Sequence, residues 1–179
     1  PDAIAYGGWS LDLHPPEGID APGLEPCIQY PVSHLYDIPL AACISVNRQN
    51  LMFAGRNISA THVAFSSTRV MATCATIGQG VGTAAGVAVR HKREPSELST
   101  NSQIISQIQQ QLLRDDAYLV GIRNEDVYDL ARSASVSASS EQAGYEACHV
   151  ISGQTRSVHG SAGAPEGRAF PGGHRWLSD

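Results

Sequence analysis

NLMFAGRNISATHVAFSSTRVMATCATIGQGVGTAAG, residues 50–86, reads as three pieces in series. Leu51 to Ala54 is a short apolar run closed by Gly55, the length and boundary of a buried parallel strand. Ser59 to Ser67 is polar and mixed, and predicts a loop. Val70 to Ile77 leads into Gly78. From Gly78 to Val89, the residues Val81, Ala84, Ala85 and Ala88 share one helical face. Glycine inside a helix costs about 1 kcal/mol relative to alanine. Gly80, Gly82 and Gly86 therefore point to close approach of a ligand or of a neighbouring backbone.

A strand, a loop and a glycine-rich helix start leave N–H groups unpaired at the positive end of the helix dipole. Anionic or electron-rich ligand atoms bind there. Proteins hold dinucleotide cofactors in this way, and a reduced flavin, negative along its pyrimidine edge, suits such a helix end. Two other readings of the glycines exist. Gly80-Val81-Gly82-Thr83-Ala84-Ala85 fits a loose G-x-G-x-x-A fingerprint, with residues 72–77 as its strand and Glu94 or Glu97 as its acid. Gly78, Gly82 and Gly86 also form a small-xxx-small ladder. Gln79 and Thr83 interrupt it, and the apolar run falls short of the ~18 residues that span a membrane.

The flanking sequence sets the frame. Residues 1–46 are rich in Pro, Gly, Asp and aromatics, and predict a β-rich segment with strands near Cys27 to Val32 and Tyr36 to Ile44. Ser96 to Asp116 predicts one helix, with Thr100-Asn101-Ser102-Gln103 as capping box and Ile104, Ile105, Ile108 and Leu112 on its apolar face. The composition changes from Val120, where Ala131 to Ser140 becomes small and alternating. The expected division is 1–120 and 121–179.

Charged residues are 16% of the 179 and the net charge is −5, with no basic patch, so nucleic-acid binding is not expected. No membrane span is expected either. Cys27, Cys43, Cys74 and Cys148 contain no CxxC pair, which predicts free thiols and no metal site. Both ends look cut, and export signals lie outside what can be read.

Several motifs in order carry a resemblance. They are YDIPL (36–40), NLMFAGR (50–56), ISATH (58–62), Arg69-Val70-Met71 with Thr73-Cys74, and GQxxGTAA (78–85), preceded by GGWSLDLHPPEG (7–18). Over roughly residues 5–119 the chain resembles the C-terminal part of bacterial FAD-dependent oxidoreductases with a glutathione-reductase-like FAD domain. The fold class this implies is α/β: a partial FAD/NAD(P)-binding Rossmann-like domain made of the C-terminal strand–loop–helix part plus a β-rich segment. The resemblance implies FAD as cofactor and hydride transfer with a small-molecule substrate.

It also implies roles. Leu51 to Ala54 would be the last strand of the FAD-binding sheet. Gly55, Arg56 and Asn57 would pass the ribityl and phosphate region. Thr73 and Cys74 would lie close to the isoalloxazine. Gly78, Gln79 and Gly82 would form the helix start under the pyrimidine end. Asn57 stands where many such flavoproteins carry an acid. His62 is the candidate for acid–base work, since imidazole titrates near neutral pH; the alternative is a structural histidine. Arg69 would hold an anionic substrate group or a flavin carbonyl, or else form a plain ion pair. Asp12 and His14 would either face the substrate cavity or brace the loop, and are read first as loop-bracing residues.

The G-x-G-x-x-G fingerprint that binds the adenosine half is absent, so these residues alone are expected neither to hold FAD tightly nor to turn over substrate. Beyond the boundary, Ala131 to Ser140, Gly144 to Gly153 and His174 to Asp179 are similar to the first third of a discoidin-like, galactose-binding module. That implies an incomplete β-sandwich segment and carbohydrate attachment. A non-catalytic carbohydrate-binding protein, with the flavin fold kept as scaffold, is the rival reading. A sugar-derived substrate follows only by association with that module.

Overall fold

The computed structural model describes residues 2–143 and 146–153. Its first half is β-rich, as the sequence predicts, but each sheet is a two-stranded antiparallel ribbon. β1 (Ala3–Gly7) pairs with β4 (Tyr36–Pro39), and β2 (Leu11–Leu13) pairs with β3 (Ile28–Tyr30). Two strands alone are marginal in water. The first ribbon is stabilised because helices cover it: Ala3, Ile4, Ala5 and Ile38 are all buried.

Four helices follow: α1 (His62–Thr68), α2 (Met71–His91), α3 (Pro95–Leu98) and α4 (Ser102–Arg114). α2 presents Ile77, Val81, Ala84, Val87 and Ala88 to the core, against β1 and α4. α4 presents Ile104, Ile105, Ile108, Leu112 and Leu113, which confirms its predicted apolar face. Leu40, Leu98 and Leu119 complete the core. Buried Gln109 ties α4 to β1, its Nε2 donating to the Ala3 carbonyl at 3.0 Å. Tyr6 and Tyr118 meet edge to face, ring centres 5.2 Å apart.

Four expectations about elements are corrected. Leu51 to Ala54 is not a buried parallel strand. It makes one antiparallel bridge, Ile44 to Met52, and Leu51 is 40% exposed. This segment instead lies along residues 42–45, with Phe53 N–H donating to the Cys43 carbonyl at 2.7 Å and Ser59 N–H to that of Ala42 at 2.8 Å. The polar stretch to Ser67 contains α1 rather than a loop, started by Thr61, whose hydroxyl accepts the Ala64 N–H. Residues 72–77 are helix, which removes the strand that the G-x-G-x-x-A reading required. Ser96 to Asp116 is two helices. Its capping box lies at Glu94 and Glu97, while Asn101 alone caps α4, accepting from Gln103 and Ile104.

Residues 120–153 hold no strand among those described. Leu130–Ser133 and Ala147–Ile151 are 3-10 turns, and the chain from 134 to 138 is irregular where an alternating strand was expected. Arg114 pairs with Asp126, Gln110 Nε2 donates to the Arg123 carbonyl, and the Glu125 N–H donates to Gln110 Oε1. The expected motif parts at Gly144, Tyr145 and His174 to Asp179 lie outside the described residues. No helix among the described residues is long and apolar enough to cross a membrane.

Candidate functional site

The start of α2 is the element around which the predicted site residues must be judged. Its N-cap is Val70, whose side chain has no oxygen to accept a first-turn N–H. A helix leaves its first N–H groups without intrahelical partners. Ser, Thr, Asn or Asp at the cap ordinarily takes one or two of them. Here Cys74 is the first residue whose N–H closes the helical pattern, onto the Val70 carbonyl at 2.9 Å. α1 and α4 both carry side-chain caps.

A hollow of about 240 Å3 opens beside this helix end. It is lined by Tyr6, Gly7, Gly8, Trp9 and Leu35 on one side and by Ala72, Thr73 and Thr76 on the other. Its size takes one end of a ring system, not a whole dinucleotide. Gly7 is required for packing: a Cβ there would meet the Tyr36 ring at 2.4 Å. Tyr36 in turn anchors the wall. Ser67 Oγ donates to the Trp9 carbonyl at 2.6 Å, so its one proton is used and Tyr36 Oη is the donor in their 2.5 Å contact. Burial pushes the Tyr36 phenol above its ordinary pKa, with the Ser67 contact opposing it. Two larger, open, polar depressions of about 590 and 600 Å3 lie around α3, at the far end of α2. None of the predicted site residues lines them.

The structure brings part of the predicted set together. Thr73 and Cys74 fall in the first turn of α2, Thr73 at the hollow. Gly55 lies against Cys74, and its φ of +85° is backbone that glycine tolerates. Gly55, Arg56 and Asn57 form a short 3-10 turn. The Arg56 guanidinium lies over the Phe65 ring, 5.7 Å from its centre, fixing this turn to α1.

Other placements correct the prediction. Gly78, Gln79 and Gly82 are not the helix start; they sit two to three turns inside α2. Gln79 Nε2 donates to the Asp115 carbonyl at 3.1 Å, bracing the end of α4. Space is open beside Gly78 and Gly82. The glycine under packing constraint is Gly80, where a Cβ would meet the Ile4 carbonyl oxygen at 2.5 Å. Of the two reasons for helix glycines, backbone approach is the one observed there. His62 is the exposed first residue of α1 and does not line the hollow.

Arg69 is committed to an ion pair. Its Nη2 donates to the backbone carbonyl of Asp12 at 2.9 Å and to Asp12 Oδ2 at 3.1 Å. A hydrogen bond from the Cys27 thiol holds the Asp12 carboxyl below its usual range, with His14 and Arg69 acting in the same direction against desolvation. The same bond, then burial, raises Cys27. Asp12, His14 and Cys27 thus form a cluster that separation in sequence concealed. The hollow was concealed likewise: Gly7-Gly8-Trp9 belonged to a family motif but carried no sign of a wall facing Ala72, Thr73 and Thr76.

The family comparison fits this arrangement. The family model described as "FAD dependent oxidoreductase" matches residues 1–112. The chain belongs to that family. Its cofactor is FAD, and its general activity is flavin-dependent oxidation or reduction of a small molecule. The match ends inside α4, so it covers the hollow, the Gly55 turn and all of α2. No curated protein and no solved structure matches the chain. For this oxidoreductase, the uncapped end of α2 beside a hollow floored by Gly7 and Gly8 is a fit for the electron-rich edge of a flavin ring.

Proposed function

We propose that residues 1–120 form the part of the flavin site that holds the isoalloxazine end of FAD. The observation that carries this reading is the start of α2, which has no side-chain cap and lines a ring-sized hollow through Ala72, Thr73 and Thr76. The N–H groups of Met71, Ala72 and Thr73 would donate to the pyrimidine edge, and their placement at the positive helix end favours negative charge there. Gly55 and Asn57 would lie along the cofactor's chain, with Arg56 held by Phe65. Thr73 and Cys74 would flank the ring. Bound FAD supplies hydride acceptance and return at its N5 atom.

The chain's own residues orient the ring and shelter it. Trp9 and Tyr6 wall the hollow, and the Tyr36–Ser67–Trp9 chain keeps the wall in place. His62, exposed and at the first turn of α1, is assigned proton exchange between solvent and substrate. Arg69 is assigned to holding α1 on the β2–β3 ribbon. A sugar-derived substrate and carbohydrate attachment by residues 121–179 rest on the resemblance in that second unit alone.

The test is made with the part that binds the adenosine half of FAD present in the same polypeptide, and replaces Val70 by Asp. Aspartate would cap α2, occupy its N–H groups and place a negative charge at the ring edge. The expected outcome is loss of bound flavin, measured by visible absorption of the purified protein, with unchanged helix content by circular dichroism. Retention of full flavin in Val70→Asp would overturn the assignment of this helix end. His62→Ala should keep its flavin and slow turnover about 100-fold or more; an unchanged rate would remove His62 from the chemistry.

A further inference from the structure

The β2–β3 ribbon brings three electron-rich side chains to one place. Its register pairs Leu13 with Ile28, so the next pair outward is His14 with Cys27. Asp12 and His14 are two apart and share one face of the strand. His14 Nδ1 lies 2.8 Å from the Pro26 carbonyl, an acceptor only, so Nδ1 carries the proton. In the neutral ring, Nε2 then presents its lone pair to Asp12 Oδ2, 3.6 Å away. Cys27 Sγ touches the other oxygen of the same carboxylate. One donor atom from each of the three lies within 4.8 Å of the other two.

We infer that Asp12, His14 and Cys27 form a binding site for a zinc-class divalent cation. Ligand bonds of about 2.0–2.3 Å to zinc place neighbouring tetrahedral ligand atoms about 3.3–3.8 Å apart. The His14–Asp12 separation already falls in that span. Thiolate with imidazole selects zinc-class metals over magnesium or calcium. The outer partners are those such sites use. Pro26 fixes the His14 tautomer, and Arg69 orients the Asp12 carboxylate by donating to Oδ2, the oxygen that also faces His14. Binding displaces the Cys27 thiol proton to solvent, leaving thiolate and carboxylate to balance the two positive charges of the metal.

Three protein ligands leave one position for water, and His14 is exposed, so that position faces solvent. The site would lock the β2–β3 ribbon, and through Arg69 would join it to the corner between α1 and α2. It lies outside the hollow assigned to flavin, and the two stand or fall separately. Sequence alone gave no sign of it, because the ligands come from β2 and from the residues just beyond the ends of β2 and β3, and include one cysteine.

The experiment titrates the metal-free chain with Co2+ and Zn2+, without flavin. One equivalent of Co2+ should bind with a thiolate-to-metal charge-transfer band, and Zn2+ should displace it. Cys27→Ser should abolish the band and weaken Zn2+ binding at least about 100-fold, and His14→Ala should weaken it 10-fold or more. Cys148→Ser, on the turn Ala147–Ile151, should match the unaltered protein. Zn2+ should raise the thermal midpoint of the unaltered chain but not of His14→Ala; these metal-free midpoints also establish that the variants fold. Absence of the charge-transfer band, or equal zinc affinity in folded Cys27→Ser and His14→Ala, would overturn the site.

Discussion

At Gly80 a hydrogen in place of a methyl group lets α2 lie against β1. The missing Cβ would sit 2.5 Å from the Ile4 carbonyl oxygen and 3.0 Å from its Cβ. Alanine has the better helix propensity by about 1 kcal/mol, but backbone cannot give way as a side-chain tip can. Gly80→Ala should therefore destabilise the protein by about 1–3 kcal/mol. Gly82 and Gly86 have open space and negative φ, so alanine there should stabilise by about 0.5–1 kcal/mol. Urea midpoints of the three variants decide the matter. The same set separates packing from ligand contact, because Gly82→Ala should also keep its flavin. Equal midpoints for all three would mean that α2 stands further from β1 than described.

At the scale of elements, α2 joins a long helix to an uncapped start, and these two properties explain what could be read beforehand. The apolar face of α4 was legible because Ile104, Ile105, Ile108 and Leu112 repeat at helical spacing around polar glutamines. α2 was only half legible. Val70 to Ile77 carries Val, Thr, Cys and Ile, which suit strand as well as helix, and the glycines after it imitate a helix beginning. Tertiary packing decides otherwise, since Thr73 and Ile77 are buried on the same face as Val81. Leu51 to Ala54 misled for the opposite reason: its apolar run has one bridging residue rather than two neighbouring strands. The family motifs did not tell which residue begins the helix. Val70→Ser tests that start. A hydroxyl cap should stabilise the flavin-free protein by about 0.5–2 kcal/mol in thermal or urea unfolding. A neutral or destabilising outcome would show that the first-turn N–H groups already have partners.

Across the whole molecule, the matched region 1–112 and the chain beyond it meet at the end of α4. The junction is polar. Arg114 Nε and Nη2 both donate to Asp126 Oδ2, at 3.0 and 2.5 Å, and Asp126 Oδ1 accepts the Tyr128 N–H at 3.0 Å. The Tyr128 N–H, then Arg114, holds the Asp126 carboxyl below its ordinary pKa. The folded chain therefore takes up this proton less readily than the unfolded one. Its contribution is fully present above the unfolded value, near pH 4, and is lost as pH falls through the lower folded value. Glu97 follows the same sign, held down first by the Glu94 N–H and then by Arg93, so acid loosens both ends of the helical layer. The expected result is a fall in amide protection across residues 123–132 below about pH 4, while α2 and the core amides stay protected. Asp126→Ala should show the low protection already at neutral pH and little further change on acidification. Hydrogen exchange read by mass spectrometry at the two pH values measures both. If Asp126→Ala kept the acid response of the unaltered chain, the junction would be held by the Gln110 contacts with Arg123 and Glu125 rather than by the carboxylate.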